Sequence, residues 1–100
     1  MALPAAYRRK VARDLASAYA WYEEQRAGLG EEFLAAVDAS FEAIETFPEM
    51  FARVHGEIRR AVVSRFPYAV FYRIEPKRLV VLAVLHMARN PKLWPQPKAR

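Results

Sequence analysis

Val11, Leu15, Ala18 and Tyr22 fall four, three and four residues apart, one stripe of a helix running from about Arg9 to Gln25. The following RAGLG places Gly28 and Gly30 where one helix stops and the next begins. Glu31 and Glu32 then put negative charge into a first helical turn, where the macrodipole favours it. Phe33, Leu34, Val37, Phe41 and Ile44 keep helical spacing until Pro48, which ends the element. A connection this short predicts an antiparallel helical hairpin. Trp21, Tyr22, Phe33 and Phe41 read as its core packing rather than as a cofactor box. Upstream, residues 2–7 (ALPAAY) predict a short strand, which Pro4 confines to a sheet edge or a first position. The pattern leaves its place in the sheet open.

After Pro48 the period shortens. Ile58–Val63, Tyr68–Ile74 and Leu79–His86 are rich in valine, isoleucine and aromatic residues, so they read as strands. SRFP and EPKR are connections of hairpin length, which predicts an antiparallel three-strand meander. The fold class is therefore α+β: an N-terminal short strand and a two-helix hairpin packed on an antiparallel sheet. Two helices cover only one face of such a sheet. Yet Val80, Leu82 and Val84 alternate with Leu79, Val81, Ala83 and Leu85, so the last strand is apolar on both sides. One apolar face is then expected to lie open, the mark of an interaction site.

The 100 residues are enough for one domain, spanning 1–100 and closing in a basic, proline-rich tail over 90–100. No apolar run approaches membrane-spanning length, and MALPAAYRRK has no apolar stretch after a basic one, so a soluble cytoplasmic protein without a secretory signal is expected. The absence of cysteine excludes a disulfide scaffold and a thiolate zinc site. No glycine-rich phosphate loop, paired carboxylates or metal-ligand spacing appears, so neither metal nor cofactor is expected. Glu31, Glu32, Asp38, Glu42 and Glu45 read as the solvated face of the second helix. Net charge adds a sharper feature. Residues 1–50 carry five basic and nine acidic side chains, residues 51–100 eleven basic and two acidic. The second half thus suits an acidic partner or an ordinary solvated basic surface.

The ordered set A-x-DL-x-x-A-x-x-WYE-x-Q-x-x-GLG-x-EF (Ala12 to Phe33), then IRR, FPY-x-V-x-Y-x-I and VLAVLH-x-x-R-x-P (Ile58 to Pro91), resembles the bacterial RelE/ParE toxin superfamily. The resemblance runs from about Tyr7 to Trp94. It implies the small toxin of a type II toxin–antitoxin system, associated with plasmid stabilisation, and an antitoxin that wraps it. Relatives divide by target: RelE-like proteins cleave messenger RNA on the ribosome, and ParE-like proteins poison DNA gyrase. RelE-type nucleases carry an arginine after the aromatic residue that opens the third strand, whereas here Ala69 follows Tyr68. A methyl group neither donates a proton nor stabilises an oxyanion.

The ParE-like branch is therefore favoured, with no catalytic residues expected and gyrase as the target. Arg60, Arg89, Lys92 and Trp94 are the candidate target-binding residues. Val80, Leu82, Val84, Arg59 and Arg73 are the candidates for antitoxin binding. The alternative is a ribosome-dependent endonuclease using Arg60, His86 and Arg89. His86 reads otherwise as a strand-end histidine bonded to backbone, and His55 has no acid or hydroxyl partner nearby in sequence. A third reading is a non-toxic member kept for a structural or regulatory role. No sequence-specific DNA binding by this chain alone is expected.

Overall fold

The computed structural model describes residues 3–97. Ala2, assigned above to the first strand, and Lys98 and Arg100 of the basic tail lie outside the described residues.

Helix α1 spans Arg9–Gln25 and α2 spans Leu29–Thr46, each where its apolar stripe predicts. Val11, Ala18 and Tyr22 of α1 and Phe33, Val37 and Ile44 of α2 are buried, while Leu15 and Phe41 are half-buried at the rim of the same core. Full burial of a ring such as Phe33 contributes about 1.5–3 kcal/mol. Trp21 departs from expectation. It stands one residue off the stripe, turned by about 100° around the helix, and is 55% exposed.

The hairpin between the helices rests on Glu23. Its carboxylate accepts the Gly28 N–H at 3.1 Å and the Gly30 N–H at 2.7 Å, two of the donors that a helix start leaves unpaired. Gly28 has φ +90°, a left-handed conformation that glycine adopts without strain. Gly30 serves a different need, since a Cβ there would stand 2.7 Å from Tyr19 Cδ2. The WYE and GLG segments are thus two halves of one turn.

Five strands form the sheet: β1 (Ala5–Tyr7), β2 (Arg53–His55), β3 (Ile58–Val62), β4 (Tyr68–Glu75) and β5 (Arg78–His86), in the order β1-β5-β4-β3-β2. The antiparallel meander β3-β4-β5 is the predicted one. β1 joins the β5 edge in parallel, with Ala5 opposite Leu79 and Tyr7 opposite Val81. Pro4, just before it, needs no donor of its own and accepts the Leu79 N–H at 2.8 Å. β2 is an addition: three residues with an irregular register against β3, too short and polar to show a period.

A β-bulge changes which way β5 faces. Phe71 of β4 pairs with Ala83 and Tyr72 pairs with Val81, leaving Leu82 as the extra residue. Leu79, Val81 and Val84 therefore pack under the helices, while Val80, Leu82, Ala83 and Leu85 pack on the other side. The strict alternation read from the sequence holds only as far as Leu82. Val84, expected to share a face with Val80 and Leu82, faces the helices instead.

Candidate functional site

The apolar face away from the helices is not open. Ile58, Ala69, Phe71, Val80, Leu82 and Leu85 form a second core, and the chain's own C-terminal segment lies over it. After β5 a turn leads to a short 3₁₀ segment, Pro91–Leu93, whose start is capped by the Asn90 side chain accepting the Lys92 N–H at 2.9 Å. Trp94 then lands on Phe71 with ring centroids 5.2 Å apart, and the Arg60 guanidinium stands 5.6 Å from the Trp94 ring centroid. Pro97 presses on Gly56, where a Cβ would meet the Pro97 ring at 2.8 Å. The expectation of an exposed spare face is corrected: tryptophan and proline side chains close it, leaving Val80 at 3% and Leu82 at 7% exposure.

This strap divides the sequence-derived candidates. Arg60 and Trp94 stack together beneath it, whereas Arg89 and Lys92 are exposed on either side of its first turn. Arg73 is also on the strap side, nearly buried, with its Nε bonded to Glu75 at 2.9 Å. It lines a cavity of about 250 Å³ with Arg8, Lys10, Leu93 and Pro95. Arg59 points the other way and donates to the Phe51 carbonyl at 2.7 Å, bracing the segment before β2. Of the five antitoxin candidates, Val80, Leu82 and Arg73 share the strap side, and Val84 and Arg59 do not.

A cleft opens on the helix side, between α1 and the end of β5. His86 stands edge-on to Tyr68, ring centroids 5.2 Å apart, and its Nδ1 accepts the Ala88 N–H at 3.0 Å. The sequence-based alternative of a backbone-bonded histidine is thus realised, through an amide rather than a carbonyl. Burial pushes the Tyr68 phenol above its ordinary range, and the Arg89 charge offsets part of this. Asp14 Oδ2 accepts the Val84 N–H at 2.9 Å, satisfying β5 beyond the end of β1. Lys10 binds the same carboxylate at 2.8 Å. Asp14 and Ser17 line the cleft and were not singled out from the sequence, and Trp21, read there as core packing, lines it too. Asp14 lies within the DL motif, which is the one signal that pointed toward it.

The proposed nuclease trio is therefore not assembled. His86 and Arg89 share the helix-side cleft, but Arg60 lies on the opposite face of the sheet. Ala69 is fully buried in the second core. His55, on β2, pairs with Ile58 of the strand that carries Arg60, and β3 and β4 stand between it and His86 on β5. Among the described residues, no group of three or more His, Cys, Asp or Glu is placed to hold a metal ion, and no helix is long and apolar enough to cross a membrane.

The family model for the ParE toxin of type II toxin–antitoxin systems (parDE) matches residues 6–91. The chain belongs to the ParE toxin family. A solved structure described as the chromosomal ParDE toxin–antitoxin system from P. aeruginosa shares the ParE fold seen here. Its TM-score is 0.76 at 16% identity, over 84% of this chain and 95% of that one. No curated protein sequence matches this ParE chain significantly. The strap begins at the boundary of the match, since the family model ends at the first residue of the 3₁₀ turn.

Proposed function

We propose that this ParE-family protein arrests growth in the cytoplasm by protein–protein contact with DNA gyrase, and that a cognate antitoxin neutralises it. The observation that carries gyrase over RNA as the target is the separation of Arg60 from His86 by the thickness of the sheet. In-line attack by a ribose hydroxyl needs an acid, a base and a cation around one phosphate. With Arg60 on the far face and Ala69 buried, that arrangement keeps Arg89 beside His86 but lacks Arg60. Target contact then falls to the exposed part of the turn and strap, where Arg89, Lys92 and Leu93 lie in open solvent.

The antitoxin segment is expected to be acidic and amphipathic, to suit the basic second half and an apolar seat. Val80 and Leu82 can provide that seat only when residues 91–97 lift away. The competing reading, a ribosome-dependent endonuclease built on Arg60, His86 and Arg89, retains one favourable observation: His86 and Arg89 line one cleft, together with Tyr68. Induction in growing bacteria separates the readings. An early stop in DNA synthesis, with loss of gyrase supercoiling by the purified protein, supports the proposal. An early stop in translation with cut messenger RNA overturns it, and unimpaired growth points to a non-toxic family member.

A further inference from the structure

The helix-side cleft has two adjoining parts that share Trp21, Tyr68 and His86. One part, about 250 Å³, has the polar rim: Asp14, Ser17, His86 and Arg89. The other, about 490 Å³, is walled by Trp21, Tyr22, Pro67 and Tyr68. The larger part alone falls within the size range of small-molecule sites. A polar corner opening into an aromatic slot suits a ligand with an anionic group at one end and a flat ring at the other.

The donors in the corner are available. Arg89 is exposed and has no acidic partner among the described residues. Because His86 Nδ1 accepts the Ala88 N–H, the neutral ring carries its proton on Nε2, the nitrogen left for a ligand. Ser17 adds an exposed hydroxyl. A guanidinium, an imidazole N–H and a hydroxyl on one rim form a phosphate-binding donor set. Asp14 does not oppose an anion as a bare charge would, since Lys10 and the Val84 N–H already engage it. It remains an acceptor suited to a sugar hydroxyl.

The slot supplies the other end. Trp21 is 55% exposed beside the apolar stripe of α1, and it stands edge-on against Tyr22 with centroids 5.1 Å apart. That contact holds the indole while leaving ring surface toward solvent, where a nucleobase stacks without regard to sequence. We propose that this cleft binds a nucleotide, its phosphate on Arg89, His86 and Ser17 and its base against Trp21. The source is a free mononucleotide or the phosphorylated end of a single strand. Nothing in this depends on the toxin reading, because the cleft would bind its ligand whether or not growth stops.

The full-length protein should be titrated with 5′-AMP, adenosine, inorganic phosphate, phenyl phosphate and a 5′-phosphorylated tetranucleotide, followed by amide and indole NMR shifts. The expected result is saturable shifts at Ser17, Trp21 and Arg89 with 5′-AMP, and binding roughly tenfold weaker for adenosine or phosphate alone. Arg89→Gln and Trp21→Leu should each weaken 5′-AMP roughly tenfold. Both positions are exposed, and unchanged circular dichroism would confirm the fold. Tighter binding of the tetranucleotide would identify a strand end as the source, and equal binding would identify the free nucleotide. No shifts at about 5 mM 5′-AMP, a range in which even weak sites fill, would overturn the proposal. So would shifts confined to the cavity around Arg73, equal binding of phosphate alone, or equal binding of phenyl phosphate.

Discussion

Trp94 and Phe71 join the two ends of the sequence's apolar surplus: the indole from the basic tail covers the ring at the centre of β4, centroids 5.2 Å apart. The contact turns a sheet face that the helices cannot reach into a second core. It is also imperfect, because the Trp94 Nε1–H is buried without a partner among the described residues. An unpaired buried donor costs about 1–3 kcal/mol, so the strap is held less firmly than its apolar area suggests.

Two substitutions at Trp94 should therefore differ in the size of their effect. Trp94→Ala removes the cover, exposes Val80 and Leu82, and is expected to cost about 2–3 kcal/mol, below the range for a fully buried tryptophan. Binding of an apolar dye should rise. Trp94→Phe keeps a ring but deletes the unpaired donor, and should leave stability nearly unchanged. Denaturant midpoints and dye fluorescence on both variants check this, and equal losses would place the energy elsewhere.

Gly56→Ala tests the far end of the strap. Gly56 has φ +58°, and an added Cβ would stand 2.8 Å from Pro97 Cγ. The left-handed backbone alone costs an alanine about 1–2 kcal/mol. The expected outcome is that loss of stability together with faster proteolysis after residue 90, read by mass spectrometry of limited digests.

Glu23→Ala should weaken the helical hairpin. The Gly28 and Gly30 N–H groups lose a charged acceptor, and hydrogen bonds to charged groups contribute about 1.5–3 kcal/mol. A fall of about 2 kcal/mol in urea unfolding is expected. Amide exchange should accelerate first at residues 26–31, and uniform acceleration along the chain would argue against a local hinge role.

Alkaline pH should unfold the protein through its tyrosines. Burial pushes the Tyr72 phenol, which donates to the Pro48 carbonyl, up to about 12. Burial and Glu45 do the same to Tyr7, also to about 12. The unfolded chain releases these protons near 10.0, so between these values the folded state binds more protons. Stability is then fully present below about pH 10 and is lost as pH rises toward 12. Urea midpoints taken at about pH 9 and about pH 11 should fall, and the fall should be smaller for Tyr72→Phe.

The helices, their hairpin and the three-strand meander were legible because each depends on neighbours in the chain. The stripe Val11, Leu15, Ala18, Tyr22 and the strand runs after Pro48 carry their periods locally. The pairing of Glu23 with Gly28 and Gly30 spans only a few residues, so the motif that carries it survives as a contiguous pattern. Beyond that range only tertiary structure decided. The β-bulge at Leu82 depends on register against Phe71 and Tyr72, and one extra residue sent Val84 to the other face. β1 took its place through parallel pairing with an edge formed some seventy residues later. Composition marked Trp94 as a residue seeking a partner but could not name Phe71 and Arg60. The helix-side cleft escaped notice because Ser17, Trp21, Tyr68 and Arg89 meet only once α1 lies across β5. Spacing along a chain encodes the faces of single elements, whereas the side chains gathered at a seam between elements are set by packing.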